Sequence, residues 1–189
     1  MSIELVLIRH GETAWNLTGQ HTGRTDLPLT PRGEAMGRAL AERLSIYNFD
    51  RVWVSPIRRA QQTAELAGCL GGAEIVEDLA EWDYGQVEGR TKAEMRVERP
   101  SWDIWTDGAP GGEQPHDVIQ RATRLVARLR RTEGCTGIFS HGHFLRVLAC
   151  AWLDWPLSSA RSMTLQNMAI SVLRSGDEGP ELIGWNLTR

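Results

Sequence analysis

The stretch Ile3-Glu-Leu-Val-Leu-Ile-Arg-His-Gly-Glu-Thr13 decides the fold of this 189-residue chain. Its first six residues are aliphatic apart from Glu4, a composition typical of a strand buried on both faces of a sheet. The run opens directly into Arg9, His10 and Gly11, which predicts a loop at the end of the strand. In parallel sheets, the loops at the carboxyl ends of the strands surround the ligand crevice.

The same pattern of a short apolar strand followed by polar residues returns twice. A strand predicted at 51–55 runs into Ser55-Pro-Ile-Arg-Arg59, and a strand predicted at 136–140 runs into His141-Gly-His143. Helices are predicted between the strands, because helix-start signals precede apolar residues at helical spacing. We expect these helices at 31–47, 56–70, 91–98, 118–129 and 143–153, and further strands at 75–76, 168–173 and 182–187.

Strands that alternate with helices at this spacing predict an α/β fold, a three-layer αβα sandwich with a mostly parallel central sheet. The whole chain, residues 1–189, is expected to form a single domain, since neither a linker nor a repeat interrupts it. The glycine-rich stretch at about 77–115 is irregular, and we expect it to be a lid-like insertion over the ligand crevice.

Composition and charge disfavour several classes of protein. The net charge of −3 at pH 7 and the pI near 6.0 argue against a nucleic-acid or membrane-surface partner, so a bound anion needs a local cationic pocket. The N-terminus lacks the features of a signal peptide, and no apolar run is long enough to span a membrane. The three cysteines form no Cys-x-x-Cys pair, which indicates a reducing, cytoplasmic setting. Nothing in the sequence indicates an oligomeric state.

If the three strands are neighbours in the sheet, their polar ends converge on one crevice. Two histidines, His10 and His141, would then meet one or two arginines beside the N-termini of at least two helices, whose N–H groups attract anions. Phosphoryl transfer needs this kind of placement, because the transferred group carries negative charge on three oxygens. The sequence therefore predicts a site for a small phosphorylated substrate.

Arg9-His10-Gly11-Glu12-Thr13 resembles the Arg-His-Gly signature of the histidine phosphatase superfamily, in its phosphoglycerate mutase-like branch. The likeness spans residues 3 to about 150 and keeps the order of the family's motifs. The further matching segments are Asn16, Thr22-Gly23, Asp26-x-Pro28-Leu29-Thr30, Ser55 to Thr63, Glu81 to Gly85, Glu88-Gly89, Gly112-Glu113 and Ser140-His141-Gly142. The resemblance implies a phosphoglycerate mutase-like fold.

The resemblance also implies roles for five residues. His10 matches the nucleophile, whose neutral imidazole attacks phosphorus and forms a phosphohistidine. Glu81 matches the general acid that protonates the leaving oxygen and then deprotonates water. Arg9, Arg59 and His141 match the groups that bind the phosphoryl oxygens. Fixed cations take the place of a metal in this family, so we expect neither a metal nor a cofactor.

Other residues match, or lie beside, the family's substrate-contacting positions. These are Asn16, Thr22, Gly23, Gly142 and His143. Four aromatic residues of the 77–115 stretch could line a sugar-sized pocket or pack the lid onto the core, and both interpretations stay open: Trp82, Tyr84, Trp102 and Trp105.

The remaining histidines have simpler interpretations. His141-x-His143 could be a metal pair, but no carboxylate or cysteine with ligand spacing lies nearby in the sequence, so a phosphate site is favoured. His21 and His116 are expected at the surface.

Three functions stay open, of which a phosphomonoesterase is favoured. Lys92 matches a position of the family's cofactor-dependent phosphoglycerate mutases, which keeps a mutase as the first alternative. The segment from Pro100 to Gln114 contains no Lys or Arg, so the clamp that binds a phosphoglycerate carboxylate is missing and hydrolysis is favoured. A non-catalytic phosphoprotein-binding module is the second alternative, although every catalytic residue type is present.

Three segments resemble the sedoheptulose 1,7-bisphosphatase-like subgroup of the superfamily. They are Glu81 to Gly89, Arg99 to Gly108 and His141 to Arg146. Acid phosphatases of the superfamily share much of the same region. The resemblance therefore implies a sugar phosphate or sugar bisphosphate as substrate.

Overall fold

The N-terminal strand lies in the middle of a six-stranded sheet in the computed structural model, which describes residues 3–188. Four strands are parallel; the last two run antiparallel to their neighbours. In spatial order they are β3 (Glu74–Ile75), β2 (Arg51–Val54), β4 (Gly134–Ser140), β1 (Ile3–Arg9), β5 (Ile170–Gly176) and β6 (Gly179–Leu187). The α/β prediction with a mostly parallel central sheet is confirmed.

Within the described residues, seven α-helices connect or flank these strands. They are α1 (Ala14–Thr18), α2 (Pro31–Leu44), α3 (Arg58–Leu66), α4 (Lys92–Glu98), α5 (Ile104–Asp107), α6 (Pro115–Leu129) and α7 (Gly142–Trp152). The helix expected at 56–70 is shorter at both ends, and Gly68, with φ of 71°, takes the left-handed conformation just after it stops. The sequence did not predict α1 and α5, which are too short for a periodic apolar pattern to show.

The alternation of side chains along β1 divides the interior into two cores. Leu5 and Leu7 point to the core formed with α6 and α7, while Val6 and Ile8 point to the core formed with α2 and α3. All four side chains are fully buried. The nearly continuous apolar sequence of β1 thus reflects burial on both faces, as expected for a strand in the centre of a covered sheet.

The irregular region 77–115 packs into the larger of these cores. Trp82 and Trp102 are fully buried there, and the Trp82 and Trp105 rings pack edge to face. That this region acts as a lid, and that the chain forms one domain, stay predictions. Among residues 3–188, no helix is long and apolar enough to cross a membrane.

Helix α2 packs against the loop that follows His10. Thr30 caps the helix, because its hydroxyl oxygen accepts from the Gly33 N–H at 3.0 Å, and Pro31 occupies the first turn. The Thr30 N–H donates to the Glu12 carbonyl at 2.9 Å. Gly33 is required by this contact, because a Cβ there would overlap the backbone oxygen of Glu12.

We predict that Gly33→Ala lowers the free energy of unfolding by about 1–3 kcal/mol, because the clash with backbone outweighs the better helix propensity of alanine. Urea denaturation measures this change. Gly71→Ala is the control, since a Cβ at Gly71 meets no atom within 4 Å, and its effect should stay within about 0.5 kcal/mol. Equal stabilities for the two variants would contradict the proposed contact.

Candidate active site

His10 follows β1 directly and is held in one orientation. Its side chain is 3% exposed, and its Nδ1 lies 2.7 Å from the Gly11 carbonyl oxygen. Because a carbonyl only accepts hydrogen bonds, Nδ1 carries the proton and Nε2 carries the lone pair. Burial, together with the charges of Arg59 and Arg9, lowers the pKa of His10 well below its ordinary value. The ring is therefore neutral at pH 7.

Arg59, from the first turn of α3, lies behind His10 and is fully buried. Its Nε donates to His10 Nε2 at 3.3 Å. Its terminal nitrogens donate to the carbonyl oxygens of the segment after α1: Thr22, Gly23 and Thr25, at 2.8, 2.9 and 3.2 Å. Arg59 thus supplies positive charge beside the imidazole and holds the 22–25 loop in place.

Arg9 and His141 lie at the ends of the paired strands β1 and β4. Arg9 is aligned with Ser140 in the strand register, and the rings of His10 and His141 are 5.1 Å apart. Arg9 Nε and His141 Nδ1 are buried and have no hydrogen-bond partner within residues 3–188. Burial lowers the pKa of Arg9 to about 10, which leaves it charged at neutral pH. Two buried nitrogens at the ends of these strands are therefore left without a hydrogen-bond partner among the described residues.

The Glu81 carboxylate is fixed by three backbone N–H groups. Its Oε1 accepts from Trp82 and Phe144 at 2.9 and 2.8 Å, and its Oε2 accepts from His143 at 3.1 Å. The last two donors belong to the first turn of α7, so the start of this helix fixes the position of the Glu81 side chain. The carboxyl group faces the same cavity as His10.

An ion pair supports the segment that carries Glu81. Arg121 donates to both carboxylate oxygens of Glu113, at 2.9 and 2.7 Å. It also donates to the carbonyls of Asp78 and Ala80, and its guanidinium stacks 4.2 Å from the Phe144 ring centre. This side chain therefore couples α6 to the segment before Glu81.

A cavity of about 280 Å³ opens at this point. Eight of the residues predicted for the site line it: Arg9, His10, Asn16, Thr22, Glu81, Tyr84, Gly142 and His143. Four others do not line it: Gly23, Arg59, Trp82 and His141. Trp82 is fully buried and its indole N–H donates to the Glu113 carbonyl, so it packs the core rather than the wall of this cavity.

His21, expected at the surface, is only partly exposed, whereas His116 is exposed as expected. His21 lines the cavity, with its Nδ1 2.7 Å from the Arg90 carbonyl and its ring 5.0 Å from that of Tyr84. Burial lowers its pKa. The adjacent match at Thr22-Gly23 was the signal that could have placed His21 at the site.

Asn167 is a cavity-lining residue that sequence reasoning missed. Its Nδ2 donates to the carbonyls of His10 and Gly11 and to Asn16 Oδ1, at 2.9, 3.1 and 3.1 Å. Asn16 Oδ1 also accepts from the Thr13 N–H, so the amide NH₂ of Asn16 is the group left for a ligand. No sequence pattern reveals a contact between residues 157 positions apart.

His141 and His143 use their ring nitrogens on different partners. His141 Nε2 lies 2.7 Å from Ser55 Oγ, and His143 Nδ1 lies 2.5 Å from the Tyr84 hydroxyl. In the part of the chain that the structure describes, no group of three or more His, Cys, Asp or Glu residues could hold a metal ion.

Residues 5–188 match the family model described as histidine phosphatase superfamily, branch 1. The chain belongs to this superfamily. It is 39% identical over 172 residues to an acid phosphatase of Mycobacterium tuberculosis, covering 89% of this chain and 84% of that enzyme. It is 36% identical over 182 residues to the sedoheptulose 1,7-bisphosphatase of Saccharomyces cerevisiae, covering 78% of this chain and 66% of that enzyme.

Other relatives and solved structures agree with this assignment. The chain is 32% identical over 194 residues to a probable phosphoglycerate mutase GpmB of an Enterobacter species, covering 97% of this chain and 90% of that protein. The solved structure of the Rv3214 open reading frame of M. tuberculosis superposes with a TM-score of 0.93, at 36% identity over 98% of both chains. Because the chain belongs to this superfamily and its relatives include an acid phosphatase and a bisphosphatase, it is identified as a phosphatase.

We predict that the phosphatase loses stability as the pH falls below about 6.5, the ordinary pKa of histidine. The pKa values of buried His10 and His141 are lowered, so below this pH the unfolded chain takes up protons that the folded protein does not. Each contributes a loss of up to about 1.4 kcal/mol per pH unit.

Urea denaturation at pH 7.5 and 5.5 measures this dependence. His141→Gln should reduce it, while His116→Gln, at an exposed histidine, should leave it unchanged. A dependence that is the same in all three proteins would contradict the lowered pKa of His141.

Proposed function

We propose that this phosphatase hydrolyses sugar phosphates or sugar bisphosphates through a phosphohistidine intermediate on His10. The observation that carries the proposal is the state of the His10 ring, whose Nδ1 proton is fixed by the Gly11 carbonyl. The Nε2 lone pair therefore faces the cationic groups that would hold a phosphoryl group. The phosphatase homologues, which include an acid phosphatase and a sedoheptulose bisphosphatase, support a small phosphorylated substrate.

In the first step, His10 Nε2 attacks phosphorus while the bond between phosphorus and the leaving oxygen breaks. Glu81, in its protonated form, gives its proton to that oxygen. Arg9 Nε and His141 Nδ1 are the buried positions that would bind phosphoryl oxygens. Arg59 Nε would turn from the His10 lone pair to the phosphoryl group when substrate binds.

In the second step, water attacks phosphorus and the bond between phosphorus and nitrogen breaks. The Glu81 carboxylate takes the water proton, which restores its acid form, and His10 returns to the neutral state. The Asn16 amide and Thr22 at the cavity wall would contact the substrate, with Gly142 leaving room beside Arg9. These roles are proposals.

A second cavity, also of about 280 Å³, adjoins the first and supports a substrate with two anionic groups. The two cavities share Gly19, His21, His143 and Arg146. Lys92 and Arg161 line the second cavity and contact the carboxylate of Asp103 at 3.1 and 3.4 Å. Two cations share one carboxylate, so the cavity keeps positive charge for a distal phosphate.

The structure favours hydrolysis over the mutase alternative. Lys92, the residue that resembles a mutase position, does not distinguish the two reactions, because the positive charge that it and Arg161 keep beside Asp103 attracts a phosphate and a carboxylate alike. The segment 100–114 adds no other cation to the site. Because the GpmB relative is a probable phosphoglycerate mutase, an isomerisation assay is needed. In this assay the enzyme is given 3-phosphoglycerate with a catalytic amount of 2,3-bisphosphoglycerate. We expect phosphate release to exceed isomerisation.

We predict that the wild-type enzyme, quenched during turnover of ³²P-labelled substrate, carries an acid-labile and base-stable label on His10. His10→Ala should carry no label and have no activity above background, because the nucleophile is gone. Undiminished turnover by this variant would rule out the proposed mechanism. Turnover of wild-type enzyme is expected to be unaffected by EDTA.

Glu81→Gln keeps the shape of the carboxyl group but cannot give a proton. We expect it to slow hydrolysis of alkyl phosphates, whose leaving oxygen needs a proton, by about 10²–10⁴-fold. Formation of the phosphoenzyme from p-nitrophenyl phosphate should slow much less, because nitrophenolate leaves without protonation. Equal losses with both substrates would contradict the role of Glu81 as the acid.

The double variant Lys92→Gln, Arg161→Gln tests the second cavity. We expect KM for a sugar bisphosphate to rise about tenfold or more, while KM for the matching monophosphate changes little, because only the former has a distal phosphate. Arg38→Gln, at an exposed arginine of α2, is the control. Equal changes for both substrates would contradict the distal site.

A further inference from the structure

We propose that Ser55 sets the tautomer of His141 and is thereby a positioning residue for phosphate binding. Both residues are fully buried, at the ends of the neighbouring strands β2 and β4. Ser55 Oγ lies 2.7 Å from His141 Nε2, and the Ser55 N–H donates to the Phe139 carbonyl at 3.0 Å. The only side chain to which the Ser55 hydroxyl is hydrogen-bonded, among the described residues, is His141, so the hydroxyl acts through the imidazole.

The direction of this hydrogen bond follows from the donors and acceptors around it. A hydroxyl has one proton and two lone pairs, and the Ile57 N–H already donates to Ser55 Oγ at 3.2 Å. If His141 Nε2 also donated, the hydroxyl proton and the Nδ1 lone pair would both be buried without a partner among the described residues. If the hydroxyl donates to Nε2, only one group, the Nδ1–H, is left without one. The second arrangement is favoured, because each buried polar group without a partner destabilises the folded state.

A neutral ring is required for this choice between two tautomers. Burial, with the charges of Arg59, His10 and Arg9, lowers the pKa of His141 well below its ordinary value. The ring therefore carries one proton at pH 7, and the Ser55 hydroxyl places that proton on Nδ1.

The resulting Nδ1–H is a buried donor, and Arg9, at the end of the adjacent strand β1, carries another. Arg9 Nε has no partner within residues 3–188, and Arg9 packs against Gly142, whose Cβ, if present, would lie 3.1 Å from that nitrogen. An anion with several oxygens supplies acceptors for both groups. The opposite tautomer would present a lone pair to the same oxygens and repel them. Ser55 thus makes His141 a donor to the phosphoryl group without touching it.

The first measurement uses wild-type enzyme without substrate. Long-range ¹H–¹⁵N NMR correlation of the imidazoles at pH 7 distinguishes a protonated Nδ1 from a protonated Nε2. We expect His141 to be protonated on Nδ1, and His10, held by the Gly11 carbonyl, serves as the internal reference for this tautomer. A proton on His141 Nε2 would overturn the proposal, whatever the variants do.

Variants then connect the tautomer to anion binding. In Ser55→Ala we expect His141 to be a mixture of the two tautomers or to carry its proton mainly on Nε2. We expect the affinity for vanadate to fall about 10- to 100-fold. Ser55→Thr keeps the hydroxyl and should restore both the tautomer and the affinity. Ser171→Ala is the matched control, since Ser171 is a fully buried serine of β5 that also accepts one backbone N–H, from Asn186.

The outcomes separate this proposal from the proposed function on which it rests. An unchanged tautomer and unchanged vanadate affinity in Ser55→Ala would overturn the positioning role of Ser55, even if His10 forms a phosphoenzyme. An equal loss of affinity in Ser171→Ala would also overturn it, since the effect would then be a general loss of stability. Conversely, the expected tautomer and affinity changes would support the proposal even if no phosphohistidine were trapped.

Discussion

The structure depends on the concentration of positive charge around one buried imidazole. The Arg59 guanidinium is fully buried beside His10. Arg9 precedes His10 in the chain and is the last residue of β1. Burying such groups is costly unless oxygens surround them. The carbonyls of Thr22, Gly23 and Thr25 supply those oxygens for Arg59, and the Leu165 carbonyl does so for Arg9. The loops around the site are therefore held in place by the hydrogen bonds that their carbonyl groups accept from the two arginines.

This charge has two chemical consequences. Together with burial, it keeps His10 and His141 neutral, because protonating either ring would add a further cation to the same buried volume. It also leaves donors at Arg9 Nε and His141 Nδ1 that no described residue satisfies, and an anion can satisfy both. The chain as a whole carries a net charge of −3, so the attraction for an anionic substrate is local to the site.

Much of this arrangement could be predicted from the sequence. The aliphatic run of β1 is buried on both faces, and the polar residues that end β1, β2 and β4 converge because these strands are neighbours in one parallel sheet. The helix start at Thr30-Pro31 is also local, and it is confirmed by a side-chain cap. Such features depend on periodicity and on residues that are close in sequence.

What the sequence did not show depends on contacts between distant segments. Asn167 lies in the turn before β5, next to Met168 with its φ of 58°, and contacts His10 because β1 and β5 are paired in the sheet. His21 looked like a surface residue, but a loop of the 77–115 region packs against it through the Arg90 carbonyl. Trp82 matched a motif beside Glu81, yet its side chain turns into the core, where its N–H meets Glu113. None of these contacts leaves a local pattern.

The most direct test of the central claim is the stereochemistry at phosphorus. A substrate whose phosphoryl group is made chiral with ¹⁶O, ¹⁷O and ¹⁸O would be transferred by the enzyme to an acceptor alcohol, and the configuration of the product determined. Two successive in-line displacements, first by His10 and then by the alcohol, predict overall retention of configuration. Inversion would show a single direct displacement and would contradict a covalent intermediate on His10.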